Sequence, residues 1–269
     1  QEVQLLNAKN LKQKPFWVGP ADQSYNLTIR GLNNKSDTLT VDAVNGPLSN
    51  FEQVFFDGKG GVAKIVDKLV IQNSAKSAAS DDAVSVEAGR VVFGGTAFLT
   101  NTLESVSLNT GKGNDRIEIA ALGVNVTLVD SAGTDTLDFS HSATGLSLDL
   151  GAASAQKIFA GDRHTLTLKG TIENVIGTAL DDLIQGNKAA NEIRGLGGNN
   201  VLMGGDGNDV LDVVTDVPVD STGRNLLIGG KGSDTLKGGP GQEILIGGMT
   251  KYDGDAKAIA AIRKYWASS

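Results

Sequence analysis

"GGDGNDVLD" occupies residues 204–212 and "GGKGSDTLK" residues 229–237. Each carries two adjacent glycines, a third glycine further on, an aspartate at the sixth place and an aliphatic residue at the eighth. Glycine takes positive φ at no steric cost, so Gly204, Gly205 and Gly207, like Gly229, Gly230 and Gly232, permit a tight turn with carbonyls aimed inward. Asp209 and Asp234 close the turns with a carboxylate. A short strand follows, with Leu211 or Leu236 on one face. A single copy would read as a glycine-rich hairpin turn, so the fold depends on whether the pattern repeats in phase.

It does repeat. Going back in nines from residue 204 gives "GLGGNNVLM" (195–203), "GNKAANEIR" (186–194) and "GTALDDLIQ" (177–185); going forward gives "STGRNLLI" (221–228) and "GGPGQEILI" (238–246). The sixth places are Asp182, Asn191, Asn200, Asp209, Asn225, Asp234 and Glu243. The eighth places are Ile184, Ile193, Leu202, Leu211, Leu227, Leu236 and Leu245, all aliphatic. A break, "VVTDVPV" (213–219), separates the first four units from the last three. A short fixed period marks a solenoid, in which each unit buries its apolar face only by stacking on its neighbours. Carboxylates set among turn carbonyls are the donors that hard cations such as calcium take.

On these motifs residues 177–248 resemble the RTX (repeats-in-toxin) β-roll, the hemolysin-type calcium-binding nonapeptide repeat. The resemblance implies that two nonapeptides complete one coil and that calcium lies between loops two units apart. Asp209 and Asp234 are then the best pair, with Gly205, Gly207, Gly229, Gly230 and Gly232 in the ligand loops, provided that 213–219 loops out without shifting the coil. Asp234 and Asp253 form a second pair, with carbonyls near Gly230, Gly232 and Gly247; Asp253 equally suits a helix cap. Asp182/Asn200 and Asn191/Asp209 each contain a neutral amide, which weakens a calcium site and equally suits a hydrogen-bonded ladder between coils. Asn225/Glu243 would need a shifted loop. Asp115, in "GKGND" (111–115), and Asp135 form an isolated candidate pair further upstream.

The upstream chain follows a looser version of the same grammar. "SDTLTV", "VDKLVI", "NDRIEI" and "TDTLDF" each place an aspartate (Asp37, Asp67, Asp115, Asp135) before apolar residues at the second and fourth positions after it, which is strand alternation. We therefore expect an irregular β-solenoid over 26–176, continuous with the roll at 177–248. The alternative is a separate β-sandwich at 1–100. "LKQKPFWVGP" (11–20) fits no coil, and 1–25 is left without a fold. "GTDTLDFSHSATGLSLDLG" and "GTIENVIG" resemble segments that precede RTX repeats in large bacterial surface proteins. At the other end, "DGDAKAIAAIRKYWASS" puts Ile259, Ile262 and Trp266 on one helical face, with Asp253 and Asp255 at the end that favours acids. A helix within 249–269 is expected to cap the last apolar layer.

The expected fold is thus all-β, a right-handed parallel β-solenoid with a short C-terminal capping helix. The chain has 269 residues, 35 glycines, no cysteine and a net charge of −7. Excess negative charge argues against nucleic acid or an anionic membrane surface as partner, and no apolar run is long enough for a membrane helix. There is no charged-then-apolar leader and no initiator Met, so a processed form or a part of something longer is expected. The RTX resemblance implies type I export and an extracellular or cell-surface location. His141 and His164 stand in polar contexts with no neighbouring base or nucleophile pattern, and no HExxH, G-x-S-x-G or P-loop occurs. The expected function is a non-catalytic, calcium-binding structural module, and a monomer. Two alternatives carry different chemistry: a carbohydrate-active parallel β-helix of lyase or epimerase type with an RTX tail, and an adhesin that binds glycan or a surface protein on the solenoid face. No Thr-x-Thr ladder supports an ice-binding face.

Overall fold

The structure, a computed structural model, describes strands at 2–5, 17–20, 25–30, 38–42, 51–57 and 68–72, and then residues 81–100, 103–213, 223–253 and 255–268. It is mostly strand, with a single helix at Ala256–Ser268 among the described residues. No helix among them is long and apolar enough to cross a membrane.

From Ser105 to Ile246 the chain passes back and forth between sheets. Arg116–Ile119, Thr136–Asp138, Asn174–Ile176, Glu192–Arg194, Val210–Asp212 and Thr235–Lys237 are successive parallel strands of one eleven-stranded sheet. The intervening strands build two five-stranded parallel sheets. One holds Ser105–Lys112, Asn125–Ala132 and Leu166–Lys169; the other holds Ser147–Asp149, Leu183–Gln185, Val201–Asp206, Arg224–Lys231 and Gln242–Ile246. Within the roll, a residue pairs with the one 18 further on, as Asn191 with Asp209. Across the break the step is 25, as Asp209 with Asp234. Val210 still pairs with Thr235, and Val201 with Leu226. The break therefore leaves the register of both flanking ladders intact, and most of it lies outside the described residues.

The eighth-place side chains form the inner column. Ile184, Ile193, Leu202, Leu211 and Leu227 are fully buried in one cluster that runs from Leu69 to Leu227. Leu236 packs against that cluster only in part, and Leu245, on the last strand, is 48 % exposed. The inner column thus ends in an open face.

The helix does not close that face. Ile259 is 1 % exposed and packs with Val201, Met203, Leu226 and Ile228, the seventh- and ninth-place residues that point outward from the sheet. The helix is a buttress on the outer side of Val201–Asp206 and Arg224–Lys231. The alternation of strand side chains explains why "VLM" and "LLI" are apolar at three consecutive places: the middle one faces the core and the outer two face the helix. Trp266 is half-buried, with the Arg224 guanidinium 5.7 Å from its ring centroid and Arg224 Nη1 donating to its carbonyl at 2.8 Å. Asp255 caps the helix, accepting from the amides of Lys257 and Ala258 at 3.0 and 3.1 Å. Ile262 is 38 % exposed. Removing one methylene by Ile259→Val should cost about 0.5–1.5 kcal/mol. Ile262→Val should stay within about 0.5 kcal/mol of the parent. Chemical denaturation of the two variants checks this.

Upstream, Thr38–Asp42 and Lys68–Gln72 pair in parallel with Ser105–Lys112. Tyr25–Arg30 and Phe51–Asp57 pair in parallel at the end of the eleven-stranded sheet. Antiparallel strand pairing, the kind a separate sandwich over 1–100 would use, is confined among the described residues of that range to two places: the pair Glu2–Leu5 with Trp17–Pro20, and the meander of Ala83–Glu87, Arg90–Phe93 and Thr96–Leu99. The alignment of aspartates needs a correction. Leu69 and Ile71 are in register with Val106 and Leu108, not with Ile117 and Ile119. Asp37 and Asp67 themselves lie outside the described residues. The residue that occupies the place below Asp115 is Asp82, whose own Val84 and Val86 pair with Ile117 and Ile119.

Candidate metal centre

A strand that follows a tight turn leaves its first amide without a partner in its own coil. The sixth-place side chain of the next coil supplies one. The amide of Asp82 donates to Asp115 Oδ1 at 2.7 Å, that of Asp115 to Asp135 Oδ1 at 2.8 Å, and that of Asp135 to Glu173 Oε2 at 2.9 Å. Higher in the same column, Asn191 donates to Asp209 Oδ1 at 2.8 Å and Asp209 to Asp234 Oδ1 at 3.0 Å. A second column, on the other side of the roll, runs from Leu146 to Asp182, Asn200 and Asn225. The fifth places form a ladder of opposite sense: Thr134 donates to Asn114 Oδ1, Asn199 to Asp181 Oδ1, and Ser233 to Asn208 Oδ1. The fifth-place residues were not singled out from the sequence, although Asn114, Asp181, Asn199 and Asn208 are all polar there.

One oxygen of Asp115, Asp135, Asp182, Asp209 and Asp234 is therefore spent on backbone. The fate of the other oxygen sorts the candidates. Asp182 is fully satisfied. Oδ1 accepts from the Leu146 amide and the Thr178 hydroxyl, and Oδ2 from the Thr178 amide at 2.6 Å. Asn200 accepts from Asp182 and donates to the Gly197 carbonyl; Asn191 donates to the carbonyls of Ile172 and Glu173. Both residues act as rungs of the ladder between coils.

Asp209 and Asp234 differ. Both Oδ2 atoms are buried with no hydrogen-bond partner. Each faces the first glycine of its own loop: a Cβ on Gly204 would lie 2.3 Å from Asp209 Oδ2, and one on Gly229 2.4 Å from Asp234 Oδ2. Glycine at the first place keeps that space open. Burial pushes the Asp209 carboxyl up to about 6, against the hydrogen bond from Asn191, and the nearby charge of Asp234 adds to the rise. Gly205, Gly207, Gly230 and Gly232 have φ between 102° and 134°; Gly207 and Gly232 stand in the turns, whereas Gly204, Gly205, Gly229 and Gly230 lie within the strands Val201–Asp206 and Arg224–Lys231.

Asp253 is placed elsewhere. Its carboxylate accepts from the amide and the hydroxyl of Thr250, in its own loop. It lines a cavity with Gly205, Asp206, Gly230 and Met249. Both bonds stay within its own loop, where residues 250–253 form a turn closed by this side chain. Gly247 has open space around it.

Asp115 and Asp135 also keep a buried, unpartnered Oδ2, and the structure adds Asp130, whose Oδ1 is likewise buried and unpartnered. The three carboxylates offer oxygens that all lie within 4.8 Å of one another. Asp130 was missed in the sequence because it stands where the intact units have glycine.

The histidines stand apart from these clusters: His141 is 3.1 Å from Glu118, and His164 is 2.9 Å from Asp162 and bonded to the Leu122 carbonyl.

Residues 176–211 and 220–249 match the RTX calcium-binding nonapeptide repeat, in four copies. No curated protein matches the chain. RTX nonapeptide repeats bind calcium ions. The donors fit such an ion. Two buried carboxylate oxygens on stacked loops lack any protein donor, and no softer ligand intrudes on an all-oxygen set.

Proposed function

We propose that this chain, which carries RTX-type repeats over 176–249, is a non-catalytic, calcium-binding structural module of a secreted or cell-surface protein. Its strands are wound as a right-handed parallel β-solenoid, and calcium between Asp209 and Asp234 ties the two intact loops together. The observation that carries this reading is the pair of buried Oδ2 atoms with no partner. An ionised carboxylate buried without a donor or counter-ion costs several kcal/mol in general, and a bound divalent cation removes that cost at both residues together. Alternation between parallel sheets supports the solenoid. The scattered placement of the two histidines supports a role without catalysis. Export and a surface location rest on the RTX resemblance. A glycan or surface protein, rather than nucleic acid, suits the acidic exterior.

Calcium calorimetry on the full chain tests the reading. Asp234→Asn keeps the oxygen that accepts from Asp209 but removes the charge, and should abolish at least one calcium equivalent. Asp182→Asn should leave binding unchanged, because both oxygens of Asp182 are already satisfied by protein donors. No calcium binding by the parent, or equal losses in the two variants, contradicts the assignment.

A further inference from the structure

We propose that Asp115, Asp130 and Asp135 form a second calcium site, built differently from the roll and lying outside the residues that match the nonapeptide repeat. It is independent of the Asp209–Asp234 site.

The placement of Asp130 is the key. It precedes Asp135 by the same interval as Gly204 precedes Asp209 and Gly229 precedes Asp234. In the intact loops that glycine lies directly against the free oxygen of the sixth-place acid. An aspartate at the same place carries a third carboxylate into the gap between stacked loops. Asp115 and Asp135 are 1 % and 0 % exposed, and each has one oxygen engaged by backbone and the other without a partner. Asp130 contributes a third unpartnered oxygen. The nearby basic side chain of Arg116 is turned away, paired with Asp138.

Three like charges in a buried space repel one another, and only protons or a cation relieve them. Burial raises the carboxyls of all three, and the charges that add to this are acidic: Asp81, Glu173 and the three themselves. Three carboxylate oxygens without a protein donor, two of them on side chains at most 1 % exposed and all within 4.8 Å of one another, call for a cation. Oxygen-only donors select a hard divalent ion. Ligands on opposite sides of calcium stand about 4.6–5.2 Å apart, against about 4.0–4.2 Å for magnesium, from their usual bond lengths. A set confined within 4.8 Å fits inside a calcium shell and leaves room for water. Glycines at 111, 113 and 133, all with positive φ, bring the two loops close enough to share it.

The test is calcium calorimetry on the full chain with Asp130→Asn and Asp130→Ala, both of which remove the third carboxylate without restoring the glycine of the intact units. Both should lose one calcium equivalent relative to the parent while keeping those lost in Asp234→Asn. If either variant fails to fold, the parent labelled with ¹³C at aspartate carboxyls replaces it. Added calcium should shift the carboxyl resonances of Asp115, Asp130 and Asp135 and lower the apparent pKa of Asp135. Unchanged stoichiometry in both Asp130 variants, or carboxyl resonances that added calcium does not move, overturns the proposal and leaves a shared proton in place of the ion. Loss in Asp130→Asn with none in Asp234→Asn would instead sink the roll site and keep this one.

Discussion

Gly232→Ala is expected to destabilise the roll by at least about 3 kcal/mol, because it adds a Cβ both where the backbone is strained for an L-residue and where no space exists. Gly232 has φ of 134°, and a Cβ there would lie 1.6 Å from the Gly207 carbonyl oxygen of the coil below. That atom is backbone and cannot swing away, so the two intact loops would have to separate. Gly230 stands in the same relation to Gly205, at 2.1 Å. The control is Gly247→Ala, where nothing lies within 4 Å and the change should stay within about 0.5 kcal/mol. Denaturation midpoints of the two variants measure the contrast. The loss should appear with and without calcium, since it comes from coil stacking. Similar midpoints for both would show that the loops do not stack as described.

The second large effect joins calcium to pH. Asp135, Asp182 and Asp209 have carboxyls raised to about 6, in each case chiefly by burial, against about 3.9 for aspartate in an unfolded chain. A carboxyl with a raised folded pKa holds its proton more tightly when folded. Its contribution to stability is therefore greatest below the unfolded value and declines as pH rises from about 4 to about 6. Without calcium the chain should melt at a higher temperature at pH 5 than at pH 7. Calcium requires the ionised form, so it should stabilise more at pH 7 than at pH 5, where protons compete. At pH 7 an ion at about 100 times its dissociation constant adds about 2.7 kcal/mol per site, or roughly 5–10 °C at the scale of a domain this large. Both oxygens of Asp182 are taken by protein donors, so a residual downward slope should persist in saturating calcium. Thermal melts at the two pH values with calcium or EGTA read all of this. A calcium-free melting temperature that rises towards pH 7 would mean that these carboxyls are not buried as described.

Much of the roll was legible because its period is strict. Ile184, Ile193, Leu202, Leu211 and Leu227 recur at one place, and that place is the core. The seven-residue break could be recognised as an insertion because the phase resumed after it. The helix was legible as a helix, but its partner was not. The sequence reading placed it over Leu245, whereas the apolar seventh and ninth places of "VLM" and "LLI" mark the outer face it covers; three consecutive apolar residues in a strand mean two buried faces. Upstream, where coils vary in length, alternation alone could not assign strands to sheets, so Asp67 was aligned with Asp115 although "DDAVSV" carries the true equivalent, Asp82. At the candidate site, residue type singled out Asp209, Asp234, Asp115 and Asp135, whose Oδ2 atoms are buried without a partner. It could not separate them from Asp182, because that depends on whether a nearby donor such as Thr178 takes the second oxygen. Asp253 was read by distance in sequence, and its local bond to Thr250 was invisible from spacing.

The most direct test of the calcium account is anomalous diffraction from crystals of the full chain grown with calcium. It should show a peak between Asp209 Oδ2 and Asp234 Oδ2, beside the first glycines of their loops, with both oxygens about 2.3–2.6 Å from the ion. Density that leaves those two oxygens bonded only to water or to a proton, in saturating calcium at pH 7, would contradict it.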